Sequence, residues 1–370
     1  MKSRRSQASI EVQIFGDVSL NGLYGNPQNL NELRDSLIQL SEKVGTPALR
    51  IINWEAPITR AFKFNQLKNP VIATTEVSAK LFCDTFPFDI ACLGNNHIGD
   101  CLDEGFETTT QFFKRKGIET VGAGTSIKAA EALLIKNIEN CKIGVLSFTG
   151  EETNPKIHPD STIYINSMNN LDRVYELISD NASKVDFLLV NLHWGIEFMQ
   201  YPKQIQKDIA HKCIESGASI IIGHHSHCLQ GVEEYKNGLV FYSLGNFIFS
   251  GLKGKETVGW PKFCNRGGGY KVFLSKDKKF EYDFLPFTVS NSGVDVINGI
   301  IENKKKQKKL GKRLLANGRK YQLCYALNFV QNWMIRIPLF LIKTKGGLFK
   351  ALVNYANPQY IKLVFSYFSK

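Results

Sequence analysis

The sequence predicts an α/β layered domain with a mixed sheet, and three observations lead there. Short β-branched or aliphatic runs alternate with amphipathic helical segments from about residue 11 to residue 290. The last two predicted strands follow one another with no helix between them, which makes the sheet mixed rather than purely parallel. Residues of metal-ligand type gather just after several of the strands, where loops of an α/β fold converge.

In chain order the predicted strands are 12–15, 49–52, 90–93, 142–148, 185–191, 219–222, 239–243, 270–274 and 280–285. The predicted helices are 31–43, 76–86, 105–116, 127–134, 170–178 and 204–216. The first helix carries Leu33, Leu37, Ile38 and Leu40, and Asn29 with Glu32 is spaced like a capping box. Residues 275–279, Ser-Lys-Asp-Lys-Lys, read as the turn of a hairpin.

With 43% hydrophobic and 22% charged residues, the 370-residue chain is expected to be soluble and globular, which excludes collagen-like, coiled-coil and wholly disordered classes. Its formal charge of +12 is unevenly placed. Residues 301–370 hold 15 Lys and Arg against one acid, Glu302, for a net +14, so the first 300 residues carry −2. The expected organisation is a tail over 1–9, one domain over 10–291 and a basic, amphipathic C-terminal extension over 292–370. The eight cysteines show no Cys-x-x-Cys pair and are expected as free thiols of a reducing compartment.

Residues 1–10 have a basic start but no apolar core of a secretory signal, and the apolar stretch 321–342 is broken by Asn328, Gln331, Asn332, Arg336 and Pro338. The expected location is therefore the cytoplasm, either free or peripherally attached to the inner membrane face. In the extension, Asn328, Gln331, Asn332 and Arg336 form one helical stripe, with Phe329, Val330, Trp333, Met334 and Ile337 around the rest. Such a helix would dock on the body, lie on a membrane surface or form a dimer interface, in that order of expectation. The lysine-rich run 304–313 reads as a solvated face or as a contact for an anionic partner, with no nucleic-acid-binding motif beside it.

Five strand-end segments carry the chemistry: Gly16-Asp17, Asn53-Trp54-Glu55, Gly94 to Asp100 with Asn96 and His97, His193 to Glu197, and Gly223-His224-His225-Ser226-His227. Five of the seven histidines sit in three of these loops. Imidazoles with carboxylate and amide oxygens suit divalent Mn, Fe, Zn or Co, and Asp17 and Glu55 supply negative charge for one or two ions. Three histidines within four residues are the strongest single signal, because a loop has little reason to concentrate them without a ligand.

The order Gly-Asp, Asn-x-Glu, Gly-Asn-Asn-His-x-x-Asp, His-Trp-Gly-x-Glu, Gly-His-His-x-His and Ser-Leu-Gly-Asn-Phe resembles the CapA family of poly-γ-glutamate capsule biosynthesis. That family is similar in motif order to the calcineurin-like metallophosphoesterases. The resemblance covers about residues 10–291 and includes 121–126, Val-Gly-Ala-Gly-Thr-Ser. It implies a four-layer α-β-β-α sandwich with metals where the sheets meet. It also implies Asp17, Glu55, Asn96, His193, His225 and His227 as ligands, Glu55 in a bridging role, and two divalent ions.

His97 would contact a leaving group or substrate oxygen, oriented by Asp100, and His224 would lie outside the ligand set. Asp17-Val18-Ser19 departs from the wider Asp-x-His pattern and reduces the nitrogen ligands at one ion. Glu197 and Asn246 are candidates for shaping the pocket. The implied activity is attack of a metal-activated water on a phosphoryl or acyl centre in an anionic polymer or phosphorylated substrate. The alternative is a non-catalytic component of polymer binding, assembly or export that keeps the metal for structure.

Overall fold

The computed structural model describes residues 9–21, 27–249, 264, 266–275, 277, 280–289, 294–295, 309–311 and 318–332. The first part of the chain alternates as expected: β1 (Ile10–Ser19), α1 (Pro27–Val44), β2 (Leu49–Trp54), α2 (Glu76–Thr85), β3 (Ile90–Cys92), α3 (Leu102–Arg115) and β4 (Glu119–Val121). Next come the short β5 (Ala123–Gly124) and α4 (Ile127–Ala130), then β6 (Leu134–Ile138), β7 (Cys141–Thr149), β8 (Tyr164–Ile165), α5 (Leu171–Ala182) and β9 (Phe187–His193). The remainder is α6 (Gln204–Glu215), β10 (Ile220–His224), β11 (Val232–Tyr235), β12 (Gly238–Phe241), β13 (Asn246–Phe249), β14 (Arg266–Leu274), β15 (Glu281–Val289), β16 (Val294–Asp295) and α7 (Gly318–Phe329).

Two sheets form. One has the order β16-β15-β14-β1-β2-β3-β4, with β13 also pairing with β1, and the other has the order β11-β12-β10-β9-β7-β6. Strands β1 to β4 are parallel, as are β7, β9, β10 and β12, whereas β14, β15, β6 and β11 run against their neighbours. Both sheets are therefore mixed, and β14 and β15 are the expected hairpin.

Three apolar cores separate four layers. Alternate residues of both sheets meet each other: Val12, Ile14, Ile51 and Ile90 from the first pack with Ile143, Val145, Leu189 and Ile222 from the second. The other face of the first sheet carries Phe15, Ile52 and Trp54 against Leu33, Leu37 and Leu40 of α1, Phe82 of α2 and Phe113 of α3. The outer face of the second sheet buries Leu188 and Val190 against Val174 and Ile178 of α5 and Ala210 and Cys213 of α6. Period-two alternation in the strands and period-3.6 stripes on the helices thus produce the α-β-β-α sandwich that the resemblance implied.

Several boundaries differ from expectation. The segment 127–134 is one helical turn, capped by Ser126 accepting from the Ala129 N–H at 3.1 Å, and then strand β6, whose residues pair with β7. Leu134 to Ile138 alternates in exposure, so sheet pairing overrides the helical pattern. Helix α1 starts at Pro27, which puts Asn29 inside its first turn rather than at a capping position. Strand β1 runs to Ser19, so Asp17 lies within the strand and not in a loop after it.

None of the eight cysteines forms a disulfide, and seven of them are buried. Helix α7 packs on the body of the protein: the Tyr321 hydroxyl donates to Pro202 O, and Tyr321 joins the core beneath α5 and α6. Of the lysine run, only residues 309–311 fall within the described residues.

Candidate metal centre

The parallel strands of both sheets end on the same side, and the ligand-type residues gather there. Strand β1 delivers Asp17 at an irregularity: its register with β2 shifts between Phe15 and Asp17, and with β13 between Asp17 and Val18. Gly16 permits this, because a Cβ there would lie 1.9 Å from Gly245 O, while the Asp17 N–H donates to that same carbonyl oxygen at 3.0 Å. The turn before β13 is thereby locked against β1.

Asn53 is the last residue of β2 paired with β3, and its amide reaches three neighbours. Its Nδ2 lies 2.9 Å from Asp17 Oδ1, 3.3 Å from Glu55 Oε1 and 3.3 Å from His193 Nδ1. After β3, Asn95 Nδ2 donates to Trp54 O at 2.8 Å while Asn95 Oδ1 accepts from the His97 N–H at 3.1 Å. Asn96 is aimed by Nδ2 donating to Thr153 O at 2.9 Å, which leaves Oδ1 2.9 Å from His193 Nε2.

From the second sheet, His193 and His224 are the last residues of β9 and β10. The turn that follows places His225 at φ 81° and His227 at φ 53°, a left-handed backbone that side chains with a Cβ adopt at a cost of about 1–3 kcal/mol each. The His225 N–H donates to Asp17 Oδ2 at 3.2 Å and the Phe198 N–H donates to Ser226 O at 2.7 Å, which hold the turn in that shape.

The six residues that the resemblance named fall into two adjoining groups. In one, donor atoms of Asp17, Glu55 and His227 all lie within 4.8 Å of one another. In the other, His193 Nε2 lies 2.9 Å from Asn96 Oδ1 and 3.2 Å from His225 Nδ1. His224 also belongs to the cluster, with Nδ1 2.8 Å from Asp17 Oδ1, and Asn246 Oδ1 is 2.8 Å from His227 Nδ1. Glu197 is half-buried on the loop after β9, and burial pushes its carboxyl up.

Electrostatics sort these groups. Burial, then the facing His225 ring, drives His193 well below the ordinary imidazole range, and burial with His227 does the same to His225. Both are neutral imidazoles, the form that ligates metals. Burial also pushes Glu55 up, reinforced by Asp17. For Asp17 the raising effect of burial is outweighed by its hydrogen bonds to His224 and His227, which hold it well below the carboxylate range. Burial opposes the charge on His227, but Asp17 outweighs it and raises that histidine.

Beside the cluster, His97 Nδ1 lies 2.6 Å from Asp100 Oδ2, and Asp100 Oδ1 accepts from Lys68 Nζ at 2.8 Å. Lys68 Nζ also donates to Asn96 O and lies 3.1 Å from His97 Nδ1. Burial and the Lys68 charge lower His97; for Asp100, burial is outweighed by Lys68 and His97, which keep it ionised. Lys68 and Asn53 are the two residues of this region to which the sequence assigns no role. Asn53 has a signal in retrospect, since it shares the Asn-x-Glu motif with Glu55. Lys68 has none, lying in an irregular Pro-flanked segment far along the chain.

The donor set fits divalent cations. Glu55 Oε2, Asn53 Oδ1 and His224 Nε2 are buried without a hydrogen-bond partner among the described residues, and two imidazole nitrogens face each other at 3.2 Å. Buried polar atoms left this way cost about 1–3 kcal/mol each, and a shared cation relieves carboxylate and imidazole atoms together.

A four-layer sandwich with carboxylates, amides and neutral imidazoles converging at the joined strand ends defines an α/β protein with a candidate metal centre. The family model described as bacterial capsule synthesis protein PGA_cap matches residues 11–251, and the chain belongs to that family. Among curated relatives, the capsule biosynthesis protein CapA of Bacillus anthracis is 32% identical over 203 residues, 53% of this chain and 49% of that protein. The PGA biosynthesis protein CapA of Bacillus subtilis (strain 168) is 28% identical over 252 residues, 65% of this chain and 63% of that protein. The chain thus spans between about half and two thirds of these relatives. A crystal structure of a putative 5'-nucleotidase from Staphylococcus aureus in complex with alpha-ketoglutarate is similar with TM-score 0.48, 13% identity, and coverage of 81% of this chain and 58% of that one.

Proposed function

We propose that this CapA-like protein is a metal-dependent hydrolase acting in the metabolism of an anionic surface polymer, poly-γ-glutamate being the polymer for which its relatives are named. The observation that carries the reading is the Asp17, Glu55 and His227 group, with donor atoms within 4.8 Å and Glu55 Oε2 unpartnered in a buried site. Asp17, Glu55 and His227 would hold one divalent ion, with Asn96, His193 and His225 holding a second. Mn, Fe or Zn bound there supplies a Lewis acid that activates water and neutralises charge developing at a phosphoryl or acyl centre.

The chain's own residues supply the rest. Asn53 sets the spacing of the two carboxylates, and Thr153 O sets the direction of Asn96 Oδ1. Asp100 engages His97 Nδ1, so Nε2 is the ring nitrogen left to hold or deliver a proton at a leaving-group oxygen. Lys68 keeps Asp100 ionised and thereby fixes that ring orientation. The pocket is buried, His97 being 4% exposed, which strengthens each of these charges relative to water.

The test is metal content per chain by elemental mass spectrometry on tag-free protein, wild type against His225→Ala, followed by phosphodiester, phosphomonoester and γ-glutamyl substrates. Near-stoichiometric metal that disappears in the variant, with turnover of one substrate class, supports the hydrolase. Wild type that binds neither Mn nor Zn when they are added would sink it.

A further inference from the structure

Helix α7 carries apolar residues on both its inward and its outward face, and Tyr321 and Phe329 are buried on the inward one. Its polar Asn328 and the following Asn332 are buried, at 6% and 0% exposure, while Leu323 and Leu327 are each 60% exposed and Val330 is 40% exposed. Polar side chains share the docking with these aromatics: the Gln200 N–H donates to Asn328 Oδ1 at 3.0 Å, and Asn332 Nδ2 donates to Phe198 O at 2.7 Å. Leu323, Leu327 and Val330 are spaced four and three apart, so they share one face, and Ala326 is exposed with them. An apolar stripe left in water by a helix that buries its amides calls for something to cover it.

We propose that this outward face rests on an anionic lipid surface, so that the protein lies peripherally on a membrane. Charge decides the occupant. Residues 301–370 carry a net +14 with Glu302 as the single acid, and α7 has no acidic residue in its first turn. A second copy offers little to match this, because residues 1–300 carry only −2. A soluble polyanion would satisfy the lysines but gives Leu323 and Leu327 no apolar phase to enter. Lipid headgroups over acyl chains provide both.

The sequence beyond α7 has the same character, interspersing Trp333, Phe340 and Tyr360 with Lys343, Lys345 and Lys350, the mixture that membrane interfaces take up. Three apolar side chains alone hold a protein weakly, so attachment is reversible and depends on the basic residues. No helix among the described residues is long and apolar enough to cross a membrane. The proposed contact is of a helix lying on the surface, and it stands independently of the hydrolase reading.

The experiment is flotation of the full chain with vesicles of phosphatidylglycerol and phosphatidylcholine in equal parts, and with phosphatidylcholine alone. The wild type is expected to float with the anionic vesicles only and to be released as salt rises. Leu323→Glu/Leu327→Glu should lower vesicle affinity roughly tenfold or more, and Val330→Glu by a smaller factor, each with an unchanged melting temperature because the positions face outward. Wild type that stays off anionic vesicles overturns the proposal, as does a double variant that floats as well as wild type. A dimer in sedimentation that the double variant abolishes, without vesicle binding, would assign the face to a second copy instead. A large drop in melting temperature of both variants would mean that the chain covers this face itself, which also overturns it.

Discussion

Asn332 Nδ2 donates to the carbonyl oxygen of Phe198 at 2.7 Å, and so ties the C-terminal extension to the loop that follows β9. The same Phe198 donates its N–H to Ser226 O, inside the turn that carries His225 and His227. One residue thus links the extension to the candidate metal centre. Replacing Asn332 with Ala removes this part-buried hydrogen bond and should cost about 1 kcal/mol. Urea denaturation should show that loss, and titration with Mn should show weaker binding although no ligand is altered. Unchanged metal affinity would mean that the extension is merely attached.

Gly16→Ala should be more damaging than a change of one methyl suggests. The new Cβ would meet Gly245 O at 1.9 Å, and neither backbone can yield without moving Asp17 or the turn before β13. The expected cost is roughly 3 kcal/mol or more in stability, accompanied by loss of bound metal. Wild-type metal content in a folded Gly16→Ala protein would show that Asp17 does not depend on this close approach.

Lys68 and Asp100 form a buried ion pair, with side-chain exposures of 3% and 0%. Lys68→Met leaves the Asp100 charge facing only His97 and the Ile72 N–H, and should destabilise by roughly 3–5 kcal/mol. The double variant Lys68→Met/Asp100→Asn should recover much of that loss, since no uncompensated charge remains. Additive losses in a double-mutant cycle would contradict the pairing. Activity, where measurable, should stay low in the double variant because His97 has lost its orienting carboxylate.

Metal removal provides the fourth test. If cations bridge the buried donors, chelation should lower the melting temperature of the wild type by several degrees, as expected when a tightly bound ligand leaves the native state. Asp17→Asn keeps the shape but removes the charge that His224 and His227 face, so chelator should shift its melting far less. An equal shift in both proteins would place the stabilising ion elsewhere.

The strand-end residues were readable before the fold because their chemistry is unusual where it stands. A Gly-His-His-x-His run, a carboxylate after each of two strands and an Asn-His pair after a third are locally conspicuous, and parallel strands bring their ends together whatever the loops do. The β14 and β15 hairpin was readable for a similar reason, two apolar runs separated by five polar residues. The strand at 134–138 was not, because an apolar run of this length satisfies a helical pattern and a strand pattern equally, and only pairing with β7 decides it. Asn53 and Lys68 were hidden in another way. A buried amide or ammonium acquires its partners from segments up to 140 residues away, and no local spacing encodes that.

The sequence alone determined the layered α/β class, the concentration of ligand-type residues at strand ends and the basic C-terminal segment, since each follows from periodicity, residue chemistry or charge within short windows. Only the tertiary structure decided that Asp17 lies inside β1 at a register shift, that His224 shares its carboxylate, that Lys68 balances Asp100, and that α7 docks by Tyr321, Phe329 and its amides and turns Leu323 and Leu327 outward. Those four depend on which surfaces meet. Hydrogen-bond geometry and burial at such contacts come from the packing of distant segments, which a local pattern of residues does not specify.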